Sequence, residues 1–483
     1  MKTLLFLHRE QLTDLFISLS QAIGKRLNVI HVAFNDKEAQ KLKDAGITVF
    51  YNYSHITSRL FDTVHTSSSL ISEIDELFLK NTDGRFNLNS TLQSDRGFSL
   101  LNYEEALLSA QVHYLAWKSI FEDCHVDFMI HEPCSLFFNH IAAVMCRAQG
   151  GMFIWQAMTP PEGDDITYLN VVNDDYTCPE IEQNLKYYLE NPDKIETTRC
   201  ESFLNRFRVN YEVMFANMIM RYNKRKLLYL KYRKVASYYK HKRKFDRLKE
   251  NIDYWLCKQN PSAEKLKNLH DYTKHGVKFE EPIEGEKYYY YSFHLEPEAV
   301  VLYLGDGIYA NQVKLIENIA AALPPECYLY VKDHPHELAY RNADDYLRLM
   351  NVPNVRLIRS SISGKLLIKN AIGVFSINGT AGFEALMLGK QVYNFGKSYY
   401  TYCDRVQHVL NIRDLRQVLY QNRNVTYTDD LKFLAYVNAY LVSMHVGMVD
   451  FFMDRAETYN LDLEQNAKRI ADNLVIFTNS FGR

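Results

Sequence analysis

The sequence predicts an α/β protein built from two doubly wound units. Three observations carry this expectation. At 483 residues the chain is too long for one ordinary core. Short apolar strands alternate with helical periodicity in both the first third and the later part of the chain. Polar or glycine-rich clusters follow the strands of the second half, at the strand ends where open α/β sheets bind ligands.

The first unit opens as strand Thr3–Leu7, helix Gln11–Arg26, strand Asn28–Phe34, helix Lys37–Ala45 and strand Thr48–Phe50. A polar stretch, Ser54 to Leu101, precedes a long helix, Tyr103–Asp123. A strand from Val126 ends in His131, Glu132 and Pro133, and helix Ser135–Gln149 stops at Gly150-Gly151. Strand Met152–Gln156 then completes a unit of residues 1–158. Pro160-Pro161-Glu162-Gly163-Asp164-Asp165 breaks the alternation, and helical periodicity runs through a middle segment, 159–286. Residues 221–249 are strongly basic with Tyr and Leu interleaved. Such a helix either lies on an anionic membrane surface, is solvated, or faces an acidic part of its own protein.

The second unit covers residues 287–440 and is followed by a mostly helical tail, 441–483. Its elements read as strand Tyr288–Phe293, strand Val300–Leu304 ending in Gly305-Asp306-Gly307, helix Gln312–Leu323 and strand Cys327–Lys332. Helix Ala343–Met350, strand Val355–Ile358 and an apolar run to Phe375, read as a buried strand, come next. A small-residue turn, Ser376-Ile377-Asn378-Gly379, then leads into a short helix stopped by Gly389. Gly379 and Gly382 would let a ligand approach the backbone, while Ser376, Asn378 and Thr380 offer short polar groups. A helix starting there points free N–H groups and partial positive charge outward, which suits a phosphate. Glu384, placed in the first turn, is either a cap partner or an acceptor for sugar hydroxyls. Four clusters converge if the strands are parallel neighbours: His294/Glu296/Glu298, Gly305-Asp306-Gly307, His334-Pro335, and Ser376 through Glu384.

A formal net charge of -2 argues against a nucleic-acid binder built on overall charge. Eight cysteines without CxxC or regular spacing read as free thiols in a reducing compartment. The 35 Tyr and 27 Phe either pack cores and interfaces or line a sugar-binding cleft. The N-terminal apolar run is too short for a signal peptide, and no stretch suffices to span a bilayer, so the expected location is cytoplasmic.

Phe293-His294-Leu295-Glu296-Pro297-Glu298, Tyr330-Val331-Lys332-Asp333-His334-Pro335, and Asn378 through Ala385 with Gly389-Lys390 resemble the capsule polysaccharide biosynthesis family, which includes bacterial Kdo transferases. The likeness is specific over residues 287–400 and architectural over 1–158. The His-Pro pair is also similar to that of GT-B sialyltransferases. The resemblance implies a GT-B glycosyltransferase, with two Rossmann-like domains facing across a cleft, a helical basic insertion, and the nucleotide-sugar donor in the C-terminal domain. Carried over, His334 contacts a CMP phosphate, and Ser376, Asn378, Gly379 and Thr380 complete the cradle. Glu384 accepts from ribose hydroxyls, and His294 and Glu298 face the cleft, with Gly305 at a neighbouring strand end. One departure is Ser376-Ile377-Asn378-Gly379-Thr380, where the related pattern has paired hydroxyl residues.

Transfer with inversion needs a base for the acceptor hydroxyl and positive charge or donors for the leaving phosphate. His334 with Lys332 and the helix N-terminus fits the second role. No Asp-x-Asp stands in the strand-end setting of metal-dependent transferases, so neither metal nor cofactor is expected. Glu132 is the first candidate base, with Asp164 and Asp165 next; Glu132 as a helix cap stays open beside it. His131 and His8 read as satisfied strand-end histidines. The leading expectation is transfer of a CMP-activated, Kdo- or sialic-acid-like sugar to a bacterial surface polysaccharide or glycolipid. A UDP- or GDP-sugar transferase, a CDP-polyol phosphotransferase, and a non-catalytic glycan-assembly scaffold are the alternatives. A peripheral position on the inner face of the cytoplasmic membrane, through 221–249, goes with the leading expectation.

Overall fold

The computed structural model describes residues 1–98, 101–163, 165–210, 268, 271–296, 299–333, 341–423, 425, 427–449 and 461–481. The basic stretch 221–249 and the residues Asp164, Glu298, His334 and Pro335 lie outside them. Among the described residues, no helix is long and apolar enough to cross a membrane. The seven described cysteines are free thiols, six of them buried.

Strands β1 (Thr3–His8), β2 (Asn28–Ala33), β3 (Tyr51–Asn52), β4 (Phe128–Ile130), β5 (Met152–Thr159), β6 (Thr167–Val172) and β13 (His445–Val446) form one sheet, ordered β13-β6-β5-β4-β1-β2-β3. The first five are parallel, and β6 returns antiparallel along β5. Strands β7 (Tyr288–Ser292), β8 (Tyr328–Lys332), β9 (Val355–Ile358), β10 (Gly373–Ser376), β11 (Gln391–Asn394) and β12 (Val406–His408) form the other, ordered β12-β11-β10-β7-β8-β9 and parallel throughout. Counted within its own unit, the second sheet runs 3-2-1-4-5-6, the dinucleotide-fold order, and the first runs 3-2-1-4-5 before its antiparallel edge. Two Rossmann-like units in one chain make the GT-B architecture expected from the sequence.

Parallel sheets are covered on both faces, so their strands carry apolar or aromatic residues at every position. The run Tyr288-Tyr289-Tyr290-Tyr291 meets that demand: all four are buried, even-numbered rings joining one core and odd-numbered rings another. Two buried hydroxyls find partners at Leu367 O (2.7 Å, from Tyr288) and Gln312 Oε1 (2.8 Å, from Tyr291). These tyrosines fill cores.

Several elements differ from expectation. Residues after 159 include a strand, β6, because hydrogen bonding to β5 decides where periodicity alone cannot. The run expected as strand Val300–Leu304 is a short helix, Ala299–Leu302. The run to Phe375 divides into helix Gly364–Asn370 and β10. The polar stretch 54–101 holds helices Tyr53–Phe61, Ser68–Asn81 and Leu88–Ser94. The tail helix Leu463–Phe481 crosses back onto the first unit, packing Ile470, Leu474 and Phe477 with Leu12, Phe16 and Leu19 of helix Leu12–Ile23.

Candidate functional site

A ligand crevice opens where strand order reverses, between the first and fourth strands of a doubly wound unit. In the second unit that point lies between β7 and β10, so the chain leaving β7 (Phe293, His294) meets the turn leaving β10 (Ser376 to Gly379). The turn is fixed by its own hydroxyl, with Gly379 N–H donating to Ser376 Oγ at 2.9 Å. Ser376 Oγ is also 3.4 Å from His294 Nε2. Gly379 is the N-cap of helix Thr380–Met387, and no side chain caps that helix. A Cβ on Gly379 would stand 2.8 Å from His294 Nε2, so only glycine lets the imidazole sit against this backbone. A Cβ on Gly382 would stand 2.5 Å from the Tyr400 hydroxyl, whose single proton is shared between Gly379 O and Asn394 Oδ1, each at 2.9 Å. The approach expected of a ligand at these glycines is thus made by two side chains of the chain itself.

Glu384 begins the second turn of its helix, not the first, and the cap reading falls with that placement. Half-buried, it acts electrostatically on Lys332, the last residue of β8. Burial lowers the Lys332 ammonium pKa, and Asp333 and Glu384 partly oppose that. Asn378 is buried and Thr380 exposed. His294, Lys332, Ser376, Asn378, Gly379 and the start of the helix therefore share one sheet edge. Behind them stands a polar cluster of which the strand-end argument found Glu296 but missed Arg341 and Gln312. Arg341 stacks on Phe293 (3.7 Å to the ring centroid), binds Glu296 at 2.7 Å, and donates to His294 O at 3.3 Å. Gln312 bonds His294 on both backbone sides.

Gly305-Asp306-Gly307 has a different setting. Asp306 and Gly307 adopt left-handed φ of 57° and 66°, and the turn docks on the first unit. Arg85 binds Asp306 at 2.8 Å and Asp174 at 2.7 Å, and a Cβ on Gly307 would meet Ser94 Oγ at 2.9 Å. Burial alone would raise the Asp174 carboxyl, but Arg85 and then His140 hold it well below the usual range. Lys397 adds a second link, to Asp175 at 3.1 Å. Gly305 itself packs beside Gly396, just past β11.

In the first unit the reversal lies between β1 and β4, and the residues just beyond those strands are Arg9 and Glu132. They form an ion pair across the switch point. Burial raises the Glu132 pKa and Arg9 opposes it without cancelling it. The adjacent His131 is held down to about 3, by burial first and Arg9 second. Among the described residues Glu132 takes no backbone N–H of that helix; it accepts from the Ser135 hydroxyl at 3.4 Å, while Asn139 Oδ1 accepts from Leu136 N at 3.1 Å and Ser135 N at 3.2 Å, and Asp95 takes Phe137 N. Asp165 is exposed in the loop joining β5 to β6. Arg9 was findable in the sequence, since it follows β1 as Glu132 follows β4.

Residues 183–404 match the capsule polysaccharide biosynthesis protein family. The expected likeness over 287–400 falls inside that segment and holds, and the whole second switch point lies within it. A capsule polysaccharide modification protein, LipA of Neisseria meningitidis serogroup A, is 29% identical over 94 residues, 20% of this chain and 13% of that protein. Protein FixF of Sinorhizobium fredii is 35% identical over 96 residues, 20% of this chain and 22% of that protein. The chain thus spans less than a quarter of either relative. Among solved structures, the β-Kdo 2,4 transferase of Thermosulfurimonas dismutans KpsC aligns over 67% of this chain and 82% of its own, with 14% identity and a TM-score of 0.31. A UDP-GlcNAc 2-epimerase of Neisseria meningitidis aligns over 99% and 100%, with 10% identity and a TM-score of 0.25.

Proposed function

We propose that the chain is a GT-B glycosyltransferase of surface-polysaccharide assembly, binding a CMP-activated, Kdo- or sialic-acid-like sugar in its second unit. One observation carries the reading: within the family-matched segment, His294 and the Ser376–Gly379 turn meet at a helix start on the switch point of a 3-2-1-4-5-6 sheet. In the proposed reaction the acceptor oxygen attacks the anomeric carbon as its bond to the CMP phosphate oxygen breaks, inverting the centre. Glu132 takes the acceptor proton, a role its raised pKa supports, and CMP leaves with the electron pair. Lys332, the N–H groups of helix Thr380–Met387 and His334 offset the phosphate charge without metal or cofactor. Glu384 receives the ribose hydroxyls, and Asn378, Thr380 and Glu298 border the donor. A lipid-linked or polysaccharide acceptor enters from the first unit, and residues 221–249 hold the protein at the inner face of the cytoplasmic membrane.

Thermal-shift titration with CMP, CDP, UDP and GDP tests the donor, since a ligand of the native state raises the unfolding midpoint with its concentration. A response to CMP is expected; a response to UDP alone overturns the donor assignment. Glu132→Gln is expected to abolish transfer while CMP still binds. Normal turnover in that variant would move the base elsewhere, with Asp164→Asn and Asp165→Asn as the next variants to assay.

A further inference from the structure

The β7–β8 ladder ends at Phe293, whose N–H donates to Lys332 O at 2.9 Å. His294, one residue further, is held by a side chain in place of a neighbouring strand. Gln312, the first residue of helix Gln312–Ala322, is 1% exposed. Its Oε1 accepts from His294 N–H at 2.9 Å and from the Tyr291 hydroxyl at 2.8 Å. Its Nε2 donates to His294 O at 3.0 Å and to Glu296 Oε1. A backbone N–H only donates and a carbonyl only accepts, so this pairing fixes the orientation of the carboxamide. All four of its bonding positions are used.

We propose that Gln312 is a positioning residue of the donor site, clipping the His294 backbone so that the imidazole stays against Gly379 and Ser376. The proposal rests on the reading of this switch point as the donor site. Its chemistry is specific to a carboxamide. A carboxylate keeps the acceptor but loses the donor to His294 O. An apolar side chain of the same length leaves His294 N–H and the Tyr291 hydroxyl without this acceptor, and His294 O with only the longer bond from Arg341. The imidazole packs close against this backbone, its Nε2 2.8 Å from where a Cβ of residue 379 would stand. A loosened backbone at residue 294 therefore moves the ring out of register with the Ser376 hydroxyl.

A double-mutant cycle read by CMP titration calorimetry tests this on the full chain, using wild type, Gln312→Met, His294→Ala and the pair. Gln312→Met is expected to weaken CMP binding about tenfold, the scale of one lost buried hydrogen-bonding arrangement. In the His294→Ala background the same change is expected to cost less than about twofold, because what Gln312 positions is gone. The His294 imidazole resonance, assigned by its loss in His294→Ala, should move in Gln312→Met without nucleotide. Should Gln312→Met fail to fold, Gln312→Glu carries the same cycle. Losses that simply add, or an unmoved resonance, overturn the positioning role while leaving the donor site intact. A folded wild type that binds none of CMP, CDP, UDP and GDP overturns the donor reading and the role together.

Discussion

Gly382→Ala is the sharpest test of what the glycine-rich turn is for. An added Cβ would stand 2.5 Å from the Tyr400 hydroxyl oxygen and 2.6 Å from the ring carbon that bears it. The ring cannot yield easily: Tyr400 is fully buried, and its hydroxyl holds Asn394 Oδ1 and Gly379 O. Overpacking a tight site costs ~1–3 kcal/mol. Each tyrosine hydrogen bond lost in the adjustment adds ~0.5–1.5 kcal/mol. Against this, alanine gains at most ~1 kcal/mol of helix propensity over glycine. The net expectation is a destabilisation of ~1–4 kcal/mol in the nucleotide-free protein. With two units in the chain, native-state hydrogen exchange across helix Thr380–Met387 reads the local effect better than a global melt. Tyr400→Leu supplies the control, since it opens the space a methyl needs. In that background Gly382→Ala should cost little, a coupling of at least ~1 kcal/mol. Equal costs in both backgrounds, or an unchanged protein that merely loses CMP, would return the glycine to the ligand and refute the packing account.

Three further outcomes follow from the charges. Arg85→Met leaves Asp174 buried without its main cation and frees Asp306, so a loss of ~3–5 kcal/mol is expected, with earlier unfolding where the units meet; limited proteolysis and urea titration read it. Burial holds His31 down to about 4 against 6.5 in an unfolded chain, so the folded state binds fewer protons. Its contribution is full above pH 6.5 and erodes on acidification, by about 2 kcal/mol at pH 5 and about 3 kcal/mol below pH 4; His31→Gln should flatten that part of the stability profile between pH 7 and 5. Arg9→Met removes the charge that restrains the Glu132 pKa, so the acid limb of kcat/KM should move to higher pH, and an unmoved limb would separate Glu132 from the proton transfer.

Local chemistry was legible in the sequence wherever the deciding partner is near in the chain. Helix Tyr103–Asp123 was read to the residue, because Asn102 and Glu105 form its capping box within one turn. Strands β7, β8 and β9 follow from apolar and aromatic runs of strand length. The close approach at Gly379 and Gly382 was also legible, but not what approaches. His294 leaves β7, paired with β10 across more than 80 residues, and Tyr400 comes from a turn beyond β11, and a single sequence displays neither approach. Gly305-Asp306-Gly307 was misplaced for the same reason: its anchor, Arg85, lies 221 residues away from Asp306. Gln312 looked like an ordinary helix residue, since its use of all four bonding positions depends on the exit path of β7.

The two units solve one topological problem with different residues, and the difference supports the proposed division of roles between them. Each reverses strand order between its first and fourth strands, and each leaves a crevice beyond them. In the first unit that place is spanned by an ion pair, Arg9–Glu132, with Phe34 and Phe138 under the guanidinium. A carboxylate there repels phosphate, while its raised pKa suits a group that takes a proton. In the second unit the same place carries a hydroxyl, an imidazole, a helix start and the buried Lys332, all able to donate toward an anion. Both crevices hold carboxylates, Glu132 paired with Arg9 in the first and Asp333 and Glu384 beside Lys332 in the second, so it is the directed N–H and O–H donors of the second that favour a nucleotide phosphate there. Gly379→Ala, which displaces His294, should weaken CMP binding, whereas Arg9→Met should leave it within about twofold. If Arg9→Met weakened CMP binding as much as Gly379→Ala did, the phosphate would belong to the first unit and the division of labour would have to be reversed.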